Sequence, residues 1–178
     1  MSLEALAAAL PPYANDLALN LGSLVEEALL SDQQKWGCLV ASAHAVGVPA
    51  AVKAIEAAAA AAGLTSGAKT AAKAAAAIMA QNNVYFRALD LMKNQAAYRS
   101  LRTRLRMNIV RNPGAPKVDF DLWCLAVSAI NGCPDCLDAH EGALRQAGVA
   151  PEAIQAALRI AAVVNAASRV LAGEAAAA

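Results

Sequence analysis

The sequence predicts an all-α protein, and three observations carry that expectation. Hydrophobic residues make up 58% of the chain while aromatics make up only 4%, because much of the apolar content is alanine. Alanine is the best helix former and a poor strand former, so this composition suits helices packed closely together. Capping residues, glycines and prolines then divide the chain into pieces of helical length. No stretch shows the sustained alternation of a half-buried strand. At 178 residues the whole chain, 1–178, suits a single domain able to bury a core without staples.

The elements follow in order from their punctuation. Ser2 can cap a short first helix that ends before Pro11 and Pro12. Ser31 followed by Gln34 has the spacing of a capping box and opens a helix over "DQQKWGCLVASAHA". Pro49 suits the first turn of the next helix, which stops at Gly63. Another runs from about Thr65 through "KTAAKAAAAIMAQ", and "NVYFRALDLMKN" reads as a further, separate helix. After the turn-rich "RNPGAPK", a helix begins at Val118 or Asp119 and ends at Asn131-Gly132. Two more run from Cys133 to Gln146 and from Pro151 to about Leu171.

The halves resemble each other. "KWGCLVASA" echoes "LWCLAVSAI", pairing Trp36 with Trp123, and residues 62–79 align without gaps on residues 147–164. This predicts a duplicated unit, about 31–85 and about 118–173. Opposite the second unit's Cys133 and Cys136 the first has roughly Gly47 to Ala50. Cysteines needed for packing would more naturally occur twice, so the second copy is expected to carry the chemistry.

A net charge of +1 provides no field that would favour nucleic acid or an anionic membrane. The basic run "YRSLRTRLR" (98–106) has no nucleic-acid-reading element beside it and reads as a solvated or interface face. The N-terminus lacks the basic region of an export signal and carries Glu4, and the alanine-rich runs are broken by Lys53, Lys69 and Lys73. The expected setting is the reducing cytoplasm, with no membrane contact. There a close cysteine pair is more often catalytic or metal-binding than a structural disulfide.

The chemistry concentrates in "NGCPDCLDAH", 131–140. Pro134 fits a first helical turn, so Cys133 and Cys136 stand at a helix N-terminus, where free N–H groups and the helix dipole favour a thiolate. Cys133, Cys136 and His140 fall at i, i+3 and i+7, on one helix face, with Asp135 and Asp138 pointing away from it. His140 can reach the Cys136 sulfur directly or through one water, which places a base beside a nucleophile. Three readings stay open on spacing alone: a thiol redox pair, a metal site, or buried core. A structural zinc site would want a fourth ligand, and no second C-x-x-C or H-x-x-x-H exists. Asp121 lies on the preceding helix, and an antiparallel return would set it against His140, fixing the imidazole tautomer. It serves equally well as a first-turn acidic residue. Cys38 and Cys124 sit on apolar faces beside the tryptophans and read as core, and His44, alone in an apolar helix, as a core or interface histidine.

Residues 105–141, "LRMNIVRNPGAPKVDFDLWCLAVSAINGCPDCLDAHE", closely resemble the signature of the alkylhydroperoxidase D family, within the carboxymuconolactone decarboxylase-like superfamily. "LPPYANDLALNLGSL" and "AAAAIMAQNNVYFRA" extend the resemblance over nearly the whole chain. It implies an internally duplicated helical bundle assembling as a homotrimer. It implies a thiol peroxidase acting on alkyl hydroperoxides and passing electrons to a peroxiredoxin, with no bound cofactor. Dihydrolipoamide is the implied external reductant, carried on a lipoylated 2-oxoacid dehydrogenase component and recharged by lipoamide dehydrogenase. Carried over residue by residue, Cys136 is the peroxidatic cysteine that becomes a sulfenic acid. Cys133 is the proton donor and resolving cysteine, forming a disulfide with Cys136, and His140 acts as base through a water. Asp121 stands where the family's relay has glutamate, and Asp135 where it often has histidine. A negative charge there predicts harder thiolate formation and a more basic pH optimum. The dipole alone would favour Cys133 as the more acidic and exposed sulfur, whereas the position of His140 favours Cys136. The superfamily's decarboxylase activity has no use for paired thiols, and a zinc-binding or scaffolding helical trimer is the remaining alternative.

Overall fold

The computed structural model describes residues 3–178, and among them every regular element is helical. The order is α1 Leu3–Ala8, a 3-10 turn at Pro12–Ala14, α2 Asn15–Val25, α3 Asp32–Val46, α4 Pro49–Ala61, α5 Ser66–Leu91, α6 Gln95–Arg99, α7 Asn108–Arg111, α8 Lys117–Asn131, α9 Pro134–Gln146 and α10 Pro151–Ala177. The expected Ser2 cap lies outside the described residues. The Ser31–Gln34 capping box forms with both of its reciprocal bonds, and Thr65 caps α5 by accepting from the Ala68 amide.

Three features depart from the sequence expectation. The two helices expected over 65–94 are one helix, α5, because "QNNVYFRA" contains neither proline nor glycine to break it. Helix α2 was not anticipated, although Asp16 stands in its first turn and Leu21 and Leu24 are buried beneath it. The stretch from 92 to 116 carries two short helices, α6 and α7.

Helices α3 and α8 pair at the centre, and α5 and α10 lie across both. The core is built from Leu39, Val40, Ile55, Met79, Phe120, Leu122, Trp123, Leu125, Leu144 and Ile160, with alanines between them. Small residues let the central pair approach closely. At Gly37 on α3, an added Cβ would lie 2.1 Å from the Trp123 ring, so the indole occupies the space a side chain would need. Polar bonds tie the same two helices at their starts: Gln33 and Gln34 donate to Asp119 at 2.7 and 2.9 Å, and the Trp123 indole donates to the Gln34 carbonyl.

Helices of 15, 13 and 26 residues beginning at 32, 49 and 66 recur as helices of 15, 13 and 27 residues beginning at 117, 134 and 151, a constant shift of 85. Left-handed glycines close corresponding helices at Gly47 and Gly132, and again at Gly63 and Gly148. In this register Asp121 corresponds to Trp36, Cys136 to Ala51 and His140 to Ile55. The sequence pairing of Trp36 with Trp123 is therefore out of step, because helix starts and glycine caps set the register while large residues fill whichever turn faces the core.

By length and composition α10 would reach across a membrane. Here its apolar stripe, including Ile154, Ala157, Ile160 and Val164, is buried against the α3–α8 pair.

Candidate active site

The site forms where α8 ends, α9 begins and α5 crosses both. Gly132, at φ 65°, closes α8 with its amide on the Ala129 carbonyl, and the next amide, Cys133, reaches back to the Ser128 carbonyl at 3.2 Å. This turn aims α9 back along α8. It leaves Cys133 at the N-cap position, without a side-chain cap bond, and Pro134 in the first turn. Cys136 and His140 follow on the buried face of α9.

The antiparallel return brings His140 against Asp121, with Nδ1 and the carboxylate Oδ1 3.1 Å apart. The Lys117 ammonium, one turn earlier on α8, donates to the same oxygen. Burial opposes ionisation of Asp121, but the hydrogen bonds from His140 and Lys117 outweigh it and hold the carboxyl below its usual range. An ionised Asp121 keeps the proton on Nδ1 and leaves Nε2 of His140 as the basic nitrogen. The i, i+4 spacing of Lys117 and Asp121 was visible in the sequence; the convergence of both on one oxygen was not.

Cys136 is 6% exposed and Cys133 is fully buried, the reverse of the exposure expected for the residue nearest the helix start. All four cysteines are free thiols, and Cys38 and Cys124 are buried with their thiols pushed up by desolvation. Burial also pushes Cys136 up, to about 12. A hydrogen bond with Cys133 and the charge of Asp135 act in the same direction, while a hydrogen bond from Asn83 acts against them. Burial thus outweighs the favourable helix end.

Cys136, His140, Asp135 and Ala139 line a cavity of about 260 Å³, closed by Met79, Asn82 and Phe86 of α5 and by Arg99. A second cavity of about 510 Å³ shares Met79, Asn82 and His140 and continues along Leu105, Met107 and Val110, with Arg106 and Arg111 beside them. Asp135 thus borders the cysteine cavity, where the sequence had it facing away, and forms an ion pair with Arg99 at 2.8 Å. Asp138 is exposed as expected. The basic run 98–106 is largely solvent-facing, but Arg99 and Arg106 also border the two cavities. Met79, Asn82 and Asn83 escaped the sequence reading. The available signal was two asparagines, poor helix formers, inside an apolar helical run.

His44 stands apart from this site, bonded to Glu56 at 2.6 Å, with Lys73 2.9 Å from the same carboxylate oxygen. Among the described residues, no three His, Cys, Asp or Glu side chains are grouped as a metal ion would require.

Fold and site together define an all-helical protein with two neighbouring thiols and a histidine–carboxylate dyad at one end of an apolar cavity. The carboxymuconolactone decarboxylase family matches residues 96–178. The chain is 60% identical over 176 residues to a protein of Hyphomonas neptunium named alkyl hydroperoxide reductase AhpD, covering 99% of this chain and 97% of that one. Proteins of the same name from Caulobacter vibrioides and Streptomyces avermitilis are 59% and 51% identical, over 176 and 175 residues, each alignment spanning at least 96% of both chains. The chain belongs to the AhpD family.

Proposed function

We propose that the protein is a thiol peroxidase that reduces alkyl hydroperoxides through Cys136 and Cys133. The observation that carries this reading is the pair of thiols at the start of α9, Cys133 and Cys136, with His140 held on Asp121 and with Cys136 and His140 bordering one largely apolar cavity. His140 Nε2 takes the Cys136 proton, directly or through one water. The thiolate attacks the terminal peroxide oxygen and the O–O bond breaks. Cys136 becomes a sulfenic acid, and the Cys133 proton passes to the departing alkoxide, releasing the alcohol. The Cys133 thiolate then attacks the sulfenic sulfur. Water leaves with the proton held by His140, and the Cys133–Cys136 disulfide remains. A dithiol restores both thiols by exchange.

The family resemblance supplies the finer reading. The dithiol is a dihydrolipoyl group on a 2-oxoacid dehydrogenase component kept reduced by lipoamide dehydrogenase, no cofactor is bound, and the oxidised partner served is a peroxiredoxin. The functional unit is a cytoplasmic homotrimer, and the second half of the duplicated chain carries the site. Burial supports the order of the cysteines: the resolving thiol is the inner one and the peroxidatic thiol reaches the cavity. Met79, Phe86, Leu105, Met107 and Val110 suit an apolar peroxide. The paired thiols argue against lactone decarboxylation.

The test is peroxide consumption driven by dihydrolipoamide. Wild type should turn over an alkyl hydroperoxide, with Cys136→Ser and Cys133→Ser both inactive in turnover. Turnover by Cys136→Ser would overturn the reading. Stoichiometric zinc, held by the thiols in protein purified without chelator, would instead support the metal-binding alternative.

A further inference from the structure

Asp135 stands between the two thiols in the chain and borders the same cavity as Cys136 and His140. A carboxylate in that position repels a developing thiolate. The fold sets a cation against it. Arg99, the last residue of α6, holds its guanidinium 2.8 Å from Asp135 Oδ2, with Asp90 Oδ1 of α5 3.6 Å away. Helix α6 rests on α5, and through Arg99 it reaches the start of α9. The paired side chains are 40% and 31% exposed, so water screens the contact without dissolving it.

The other charges around the thiols are engaged elsewhere. On α8, Asp121 is held by His140 and Lys117, and Asp119 by Gln33 and Gln34. On α5, Arg87 donates to the Asn131 carbonyl, while Met79, Asn82 and Phe86, which close the cavity, carry no charge. Asp138 and Glu141 of α9 are exposed, and Arg106 and Arg111 border the neighbouring cavity. Among the described residues, Arg99 is the one guanidinium or ammonium bordering the Cys136 cavity. The internal duplication supplies a control: 85 residues before Arg99 and Asp135 stand Ala14 and Ala50. The ion pair occurs only where the thiols are.

We infer that Arg99 is a positioning residue of the site: by pairing with Asp135 it neutralises the carboxylate beside Cys136, so that the thiolate forms against a balanced ion pair and not against a bare negative charge. This rests on the proposed reading in which Cys136 is the attacking sulfur. A guanidinium stays charged at every pH at which the thiol reacts, so the compensation does not lapse as Cys136 ionises. An unbalanced unit charge roughly 7 Å from a partly screened thiolate lowers its population by roughly threefold to tenfold. Arg99 acts through Asp135, and its effect should vanish when that carboxylate is gone.

The test measures iodoacetamide alkylation of the reduced full-length protein between about pH 7 and about pH 9, with the modified cysteine located by peptide fragmentation. Arg99→Gln should slow Cys136 alkylation roughly threefold to tenfold at each pH, and Arg99→Lys, which keeps the charge, should recover most of the loss. Asp135→Asn should react at least as fast as wild type. Adding Arg99→Gln to Asp135→Asn should then change the rate by less than about twofold, closing a double-mutant cycle. A role in packing alone would slow both backgrounds equally and would not be recovered by lysine. Equal or faster Cys136 alkylation in Arg99→Gln, or the same loss in both backgrounds, would overturn the inference while leaving the peroxidase reading intact. Alkylation at Cys133 in place of Cys136 would overturn the order of the cysteines, and the inference with it.

Discussion

Replacing Asp121 with asparagine tests the histidine–carboxylate dyad. The substitution keeps the shape of a side chain that is 4% exposed, so it changes charge and proton direction with little repacking. In the wild type Oδ1 lies 3.1 Å from His140 Nδ1. In the proposed cycle His140 accepts the Cys136 proton, and the imidazolium and the carboxylate become opposite charges roughly 4 Å apart between centres. At an effective dielectric of about 20 that attraction is about 4 kcal/mol. Lys117 shares the same oxygen on a half-exposed side chain and offsets roughly half of it. The remaining roughly 2 kcal/mol corresponds to about a 30-fold loss in kcat/KM. An amide that turns its NH2 toward Nδ1 would also impose the tautomer with the proton on Nε2, deepening the loss. The assay is hydroperoxide reduction under dihydrolipoamide, with kcat/KM followed from about pH 6 to about pH 10. Asp121→Glu retains the charge and should stay within a few-fold of wild type. A loss below twofold in Asp121→Asn, or equal losses in both variants, would refute the argument.

Three further outcomes follow from the same structure. Cys136 is pushed up to about 12, so thiolate should increase about tenfold per pH unit below that value; an alkylation profile that levels off below neutrality would contradict this. Gly37→Ala should destabilise the fold by about 1–3 kcal/mol, a fall in Tm of roughly 3–10 °C by calorimetry, because the new methyl meets Trp123 at 2.1 Å. Glu56 is held down to about 2, first by Lys73 and then by His44. A lowered carboxyl stabilises the fold above its unfolded value and loses that contribution as pH falls through its folded one. Glu56→Gln should thus be less stable than wild type at neutral pH, with the gap narrowing between about pH 4.5 and about pH 2; a gap unchanged across that window would count against the cluster.

Much of this was legible locally. Ser31 with Gln34, Pro49, Gly63, Gly132 and Pro134 announce their boundaries because caps and glycine turns depend on neighbouring residues alone. The face shared by Cys133, Cys136 and His140 follows from helical period, and the reach of Asp121 to His140 from an antiparallel return. What the sequence withheld depends on crossing angles between distant helices. Asn83 meets Ser128 and Asn131 only because α5 crosses the junction of α8 and α9. Burial is equally non-local: the position of Cys136 at a helix start suggested an acidic thiol, while the packing of α5 over it makes the thiol basic. The unbroken α5 shows the same limit, since asparagines that disfavour an isolated helix are tolerated where they bond across it.

In the proposed cycle Cys136 takes the peroxide oxygen and Cys133 resolves it. Counting free thiols before and after one equivalent of an alkyl hydroperoxide, in the reduced, metal-free protein and in the Cys136→Ser and Cys133→Ser variants, tests it most directly. The four thiols of the wild type should fall by two and return on adding dihydrolipoamide, and a trapped sulfenic acid should appear only where Cys136 remains. Four thiols unchanged by the peroxide would contradict the account.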